Sequence, residues 1–133
     1  MQKAILILLS IFLSWPVFNS CRDPKASGEE EIVLNSLKKI QDGVEANISY
    51  ENFTRLLEET KPKLDMLKAA ERKNACFVSA VDRCYCAYVI AAKAWKLKQE
   101  AQSEQRKEDM QTTFSFSVSL ASLNIKRASS CYK

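Results

Sequence analysis

The stretch of sequence that decides the fold runs from Asn74 to Glu100 and reads NACFVSAVDRCYCAYVIAAKAWKLKQE. Its apolar side chains recur at spacings of four, three, four, three and four residues: Phe77, Val81, Cys84, Tyr88, Ala91 and Trp95. Side chains spaced in this way lie along one face of an α-helix. Neither Gly nor Pro interrupts the stretch. The sequence therefore predicts one long helix with a buried face.

An earlier helix is predicted over residues 29–44. Its apolar stripe consists of Val33, Leu37, Ile40 and Val44. Three glutamates open it, where the positive end of the helix dipole favours negative charge, and Ser27 or Gly28 can cap it. Gly43 and Asn47 mark its C-terminal end.

Another helix is predicted from about Ser49 onward. Its apolar stripe consists of Tyr50, Phe53, Leu57, Thr60, Leu64 and Leu67. Pro62 lies within this pattern, and proline lacks the amide hydrogen that a helix interior needs. We therefore expect a kink or a break near Thr60 and Lys61.

The C-terminal segment is consistent with two structures. Residues 113–120 alternate polar and apolar side chains, which is typical of a strand. A helical stripe also runs through Phe114, Val118, Ala121, Ile125 and Ala128. Because no other part of the chain alternates, a strand would have no partner, and we predict a helix over residues 112–124. The polar residues 101–109 before it either extend the third helix or form a loop.

The predicted fold class is therefore all-α. Three or four antiparallel helices joined by short loops form a small bundle or a long helical hairpin. Two Gly and three Pro in 133 residues are few for a turn-rich β-fold, and the length allows one domain at most.

Charge and the absence of histidine exclude further classes of protein. The net charge is +4, and it falls to +3 without residues 1–20, which hold one Lys and no acid. Such a mild, interleaved charge argues against nucleic-acid binding. The chain has no His, the commonest general base and metal ligand. We predict no enzymatic activity and no cofactor.

The first twenty residues predict export. Lys3 precedes the apolar run AILILLSIFL at residues 4–13, and a more polar exit follows over residues 14–20. This order matches a secretory signal peptide. The apolar run stops before Trp15 and Pro16, short of the roughly 20 residues that span a bilayer.

The end of this leader resembles a bacterial lipobox. In Phe18-Asn19-Ser20-Cys21 a small residue precedes a cysteine, although Phe18 stands where Leu is usual. In this interpretation Cys21 carries a lipid, residues 21–28 form a polar tether, and residues 29–133 form the helical domain. The alternative is a plain signal peptide followed by a freely secreted protein.

Four further cysteines follow in an exported chain, a setting that favours disulfides. Within one helix, Cys84 and Cys86 point to opposite sides, and Cys76 lies about 12 Å from Cys84. A bond therefore joins Cys131 to one of these three. Cys76 is the best-placed partner if the last helix returns antiparallel. We expect Cys84 to be buried in the core and Cys86 to be a free thiol.

The cysteines predict neither a metal site nor a catalytic residue. Cys84 and Cys86 lack the spacing of a zinc-binding pair, and no base is present to activate a thiol. Two glycosylation sequons begin at Asn47 and Asn52 and have meaning if the source is eukaryotic. Otherwise Ser49 and Thr54 cap the second helix or face solvent near its start.

The aromatic residues and the charged run of residues 96–109 each have a structural and a functional interpretation. The aromatic residues on the apolar stripes are expected in the core rather than in a ligand groove: Tyr50, Phe53, Phe77, Tyr88 and Trp95. The charged run of residues 96–109 is expected to face solvent, with partner binding as the lesser alternative.

The residues between Gly43 and Lys98 form a pattern that can be compared with known families. It comprises Ile48-Ser49-Tyr50-Glu51-Asn52-Phe53, Glu59-Thr60-Lys61 with Leu64-Asp65, Phe77 with Ala80, and Tyr88, Ala91 and Trp95. The pattern resembles small uncharacterised bacterial lipoproteins of cyanobacteria and related environmental bacteria. Pro62 and the cysteines depart from it. The resemblance implies a helical lipoprotein and brings no activity or functional residue with it.

The predicted function is that of an exported helical protein of the bacterial cell envelope. Lipid on Cys21 anchors it in the membrane, and it acts by contact with an envelope or extracellular protein, or as a structural accessory. The alternative is a freely secreted, disulfide-bonded and N-glycosylated effector or ligand carrier.

Overall fold

The computed structural model describes residues 28–132 as four helices: α1 (Gly28–Glu45), α2 (Tyr50–Ala69), α3 (Ala75–Glu100) and α4 (Glu104–Ser130). These residues contain no strand, which confirms the all-α prediction and the helix over residues 112–124. The predicted signal peptide and the predicted lipid site Cys21 lie outside the described residues. Gly28, predicted as the end of the tether, is the first residue of α1.

Successive helices run antiparallel. Near the α3–α4 turn the rings of Trp95 and Phe114 lie 5.3 Å apart, and at the opposite end the Cα atoms of Cys76 and Cys131 lie 5.9 Å apart. The start of α1 also reaches this opposite end, where Glu30 contacts the start of α3. The result is an up-down-up-down four-helix bundle, in which α3 packs most extensively against α4.

A left-handed residue ends α1. Asn47 has φ 54° and its amide donates to the Val44 carbonyl at 3.1 Å, while the Ile48 amide donates to the Gly43 carbonyl at 3.1 Å. These two bonds form a Schellman motif, in which Ile48 folds back onto the helix. A Cβ atom on Gly43 would lie 2.8 Å from Ile48 Cδ1, so the glycine makes room for this contact.

Side-chain caps start the other three helices. Ser49, Asn74 and Ser103 each accept a hydrogen bond from the backbone amide three residues on, at 3.2, 3.1 and 3.3 Å. Each cap satisfies one of the amides that a helix N-terminus leaves unpaired. Because Ser103 caps α4, the polar segment 101–109 divides: three residues connect the helices, and the rest begin α4.

Of the kink or break expected near Thr60 and Lys61, the break is wrong. Helix α2 is one element that runs through Pro62, which is exposed. Leu64 and Leu67 lie beyond the proline and are almost completely buried. Their burial, worth about 1.5–3 kcal/mol per side chain, offsets the cost of about 3 kcal/mol for a proline inside a helix.

The four helices share one core. Its largest fully buried side chains include Phe53, Phe77 and Tyr88, as predicted from the apolar stripes. The Tyr88 ring meets Phe53 edge-on, with ring centroids 6.1 Å apart. Among residues 28–132, the Tyr88 hydroxyl is the one buried side-chain oxygen or nitrogen atom without a hydrogen-bond partner.

Candidate functional site

The structure brings together the cysteine pair that the sequence favours. Cys76 and Cys131 form a disulfide with a sulfur–sulfur distance of 2.11 Å. The bond joins the first turn of α3 to the residue after α4, so it closes the α3–α4 hairpin at the end opposite its turn.

The two remaining cysteines of the described chain differ in exposure. Cys84 lies in the core, as predicted, and burial raises the pKa of its thiol to about 12. The thiol is therefore protonated at neutral pH and unsuited to nucleophilic attack. Cys86 is free and exposed, also as predicted. Within residues 28–132 no group of His, Cys, Asp or Glu side chains is arranged to hold a metal ion.

A polar cluster next to the disulfide joins three helices. Glu30, which the sequence suggested only as a dipole partner, is buried and accepts hydrogen bonds from the Asn74 amide at 3.1 Å and from the Tyr132 hydroxyl. The Asn74 side chain donates to the Cys131 carbonyl at 3.3 Å. Burial is the main cause that raises the pKa of Tyr132, and the hydrogen bond to Glu30 is the second. These contacts fix α1 against the α3–α4 hairpin.

Both sequon asparagines, Asn47 and Asn52, are exposed at the α1–α2 turn. The hydroxyl residues of the two sequons, Ser49 and Thr54, form hydrogen bonds within α2. Ser49 caps the helix, and the Thr54 hydroxyl donates to the Tyr50 carbonyl at 3.1 Å. This agrees with the structural role expected for these residues. Glycosylation of either asparagine stays a prediction.

A cavity of about 270 Å³ opens at the same end of the bundle. It is lined by Val44, Asn47, Ile48, Trp95, Lys98, Gln111 and Phe114. The Trp95 and Phe114 rings meet edge-on at 75°, and both are partly buried. The Lys98 ammonium donates to Gln111 Oε1 at 2.7 Å. Trp95, expected in the core, therefore lies at the boundary between the core and this cavity.

A second candidate site lies on the outer side of the α3–α4 pair, where five large apolar side chains are exposed. We call this surface the flank; it consists of Ile90, Leu97, Phe116, Leu120 and Leu123. Phe116 is 70% exposed and Leu123 62%. Together the five expose roughly 500 Å² of apolar area, which is the size of the largest patch on a typical monomer, a patch that often has a function.

The disulfide indicates that the two halves of the flank lie on the same side of the α3–α4 pair. Ile90 and Leu97 follow Cys76 by fourteen and twenty-one residues, and Leu120 and Phe116 precede Cys131 by eleven and fifteen. Both sets of spacings keep side chains near the side of the helix that carries the disulfide. The antiparallel pairing of α3 and α4 places Ile90 between the levels of Phe116 and Leu120.

The charges bordering the flank are of both signs. Helical spacing places Arg83 and Lys93 beside the α3 half and Arg127 beside the α4 half, and all three are exposed. Asp109 lies nearer the α3–α4 turn, where its carboxylate accepts a hydrogen bond from the Gln105 side chain at 3.0 Å. Glu100 follows Lys93 by seven residues and so lies on the same side of α3. The flank thus combines an apolar centre with a border of three cations and two carboxylates.

The described part of the chain is a small, disulfide-linked four-helix bundle. No protein-family model, no curated protein and no solved structure matches this chain. The resemblance to bacterial lipoproteins therefore stays a prediction. Among the described helices, α3 is the one long and apolar enough to cross a membrane, and 44% of its most apolar stretch is buried inside the bundle.

Sequence reasoning missed both the cavity and the flank. The signal for the flank was present in the alternation of residues 113–120, because Phe116 and Leu120 stand between the members of the buried α4 stripe. The cavity had no local signal, since its lining comes from α1, the turn after it, α3 and α4.

Proposed function

We propose that this protein is an exported, non-catalytic contact protein of the bacterial envelope, anchored by lipid on Cys21 and docking a partner protein through the flank. The observation that supports docking is the apolar flank itself. Burying a large apolar side chain contributes about 1.5–3 kcal/mol, so an exposed group of five is a strong driving force for association.

The cations beside the flank favour carboxylates on the partner. Arg83, Lys93 and Arg127 are exposed, and within the described residues no carboxylate lies within 4.0 Å of any of them. The proposed partner is a different protein, with an apolar groove and carboxylates at its rim that would supply counter-ions to these cations.

The position of α1 is compatible with the proposed anchor. Helix α1 begins at Gly28, at the end of the bundle that carries the disulfide. Seven residue steps separate Cys21 from Gly28 and span at most about 25 Å. A lipid on Cys21 would hold this end of the bundle close to the membrane and leave the length of the flank accessible.

Cross-linking in the native host tests the docking proposal. A photo-reactive residue replaces Ser119, which is exposed between Phe116 and Leu123, and the cross-linked partner is identified by mass spectrometry. We expect one defined partner, lost in the double variant Phe116→Ser, Leu123→Ser.

The matched control is Ile32→Ser, Met66→Ser, which removes two apolar side chains of similar exposure, 53% and 68%, from α1 and α2. The control should retain the cross-link. A cross-link that survives in the flank variant, or no cross-link at all, contradicts docking through the flank.

An intact-mass spectrum tests the anchor separately. A mature chain that starts at Cys21 and carries acyl groups supports the lipoprotein. The alternative is a freely secreted glycoprotein, and the exposure of Asn47 and Asn52 would allow a glycan on either. For that protein, a glycosidase would lower the mass and Cys21 would carry no lipid.

A further inference from the structure

The cavity at the α1–α2 turn has an apolar body and one charged end. Val44, Ile48, Trp95 and Phe114 supply the apolar lining, and Lys98 is the one charged residue among the lining side chains. This is the usual composition of a small-molecule site, in which apolar walls hold the ligand and a few polar groups orient it.

The Lys98 ammonium has a neutral partner within the bundle. Lys61, Lys68 and Lys107 each have a carboxylate oxygen within 2.8 Å, whereas Lys63 donates to the Ser36 hydroxyl at 2.9 Å. Lys98 instead donates to the neutral amide of Gln111, and within the described residues no carboxylate lies within 4.0 Å of its ammonium. Glu104 and Glu108 border a shallow depression beside it. A carboxylate entering the cavity would therefore provide Lys98 with a counter-ion.

The cavity also limits the size and shape of the ligand. Its volume of about 270 Å³ lies just below the roughly 300–1,000 Å³ of pockets that hold drug-sized ligands, so it matches a small molecule. Trp95 and Phe114 already meet edge-on, an arrangement that a third aromatic ring can extend.

We propose that this cavity binds a small arylalkanoic carboxylate, with its ring against Trp95 and Phe114 and its carboxylate on Lys98. The site is separate from the flank and does not depend on the proposed function. No covalent step is involved: the ligand is held by apolar contact and by a charge-assisted hydrogen bond.

Trp95 provides a direct reporter of occupancy. The chain has two tryptophans, and the other, Trp15, belongs to the predicted leader. In the exported form of the chain, carrying Cys21→Ser to prevent lipidation, all tryptophan fluorescence therefore comes from the cavity. The probe is 3-phenylpropionate, and the comparison ligand is 3-phenylpropanol, which has the same ring and chain without the charge.

We expect a saturable change in Trp95 fluorescence with 3-phenylpropionate, and binding of the alcohol about tenfold weaker. Lys98→Gln should weaken carboxylate binding by about tenfold and abolish the preference for the acid. The matched control is Lys96→Gln, because Lys96 lies on the same helix, is exposed and approaches Glu100 at 3.9 Å. This control should bind as wild type does.

Three outcomes would overturn the proposal. The first is no saturable change up to about 10 mM ligand, the weak end of specific binding. The second is equal affinity for the acid and the alcohol. The third is unchanged carboxylate affinity in Lys98→Gln, with circular dichroism showing that each variant is folded.

Discussion

Replacing Tyr88 with Phe is expected to stabilise the protein. The Tyr88 side chain is completely buried, and its hydroxyl has no hydrogen-bond partner among residues 28–132. A buried hydroxyl without a partner costs about 1–3 kcal/mol, whereas the Phe ring keeps the packing and nearly the same volume. We expect Tyr88→Phe to raise the free energy of unfolding by about 1 kcal/mol, which raises Tm by roughly 4–8 °C for a domain of about 100 residues.

Tyr85→Phe is the matched control, since Tyr85 lies three residues earlier on the same helix. Its hydroxyl donates to the Leu57 carbonyl of α2 at 3.4 Å, so its loss should lower the free energy of unfolding by up to about 1 kcal/mol. The assay is urea unfolding followed by circular dichroism at neutral pH, with the disulfide intact. A Tyr88→Phe protein that is less stable than wild type would refute the reasoning, because it would mean that the hydroxyl is paired.

Three further predictions concern the disulfide, the α1–α2 turn and the ionisable groups. Replacing Cys76 and Cys131 with Ser removes a bond between residues 55 apart in sequence and should lower the free energy of unfolding by about 4 kcal/mol; an unchanged urea midpoint would contradict this. Asn47 has a left-handed backbone, with φ 54°, and Asn47→Gly removes the steric cost of that conformation. The substitution should therefore raise Tm, and a lower Tm in calorimetry would count against it. Burial raises the pKa of Cys84 from 9.0 to about 12 and also raises that of Tyr132. Because the folded state holds these protons more tightly than the unfolded chain does, the contribution of these two groups to stability should be constant below about pH 9 and should fall above it, which urea midpoints measured from pH 8 to about pH 11 will test.

The helices themselves could be predicted because the signals for them are local. The four–three spacing of α3 and the stripe of α4 depend only on the helical period of 3.6 residues. The caps at Ser49 and the left-handed Asn47 also follow from nearby residues. The pairing of Cys76 with Cys131 could be favoured because helix geometry excluded bonds among the α3 cysteines, and an antiparallel last helix brings Cys131 to the start of α3.

Pro62 and Glu30 show where local signals fail. A proline within a helical pattern predicts a break, yet the burial of Leu64 and Leu67 against the bundle keeps α2 continuous. A glutamate in a first turn predicts a solvent-exposed charge, yet Glu30 is buried because Asn74 and Tyr132, far away in sequence, supply hydrogen bonds to it. In both cases the deciding energy comes from other helices.

The sequence by itself determined which residues are helical, which face of each helix is apolar, and which cysteines can pair. Only the tertiary structure decided which apolar side chains are covered. Phe116 and Leu120 belong to α4 as surely as Val118 does, but no other helix of the described chain covers the side on which they lie. The cavity at Trp95 likewise exists only where α1, α3 and α4 meet around it. Helical period is a property of neighbouring residues, whereas burial depends on packing between segments that are distant in the chain.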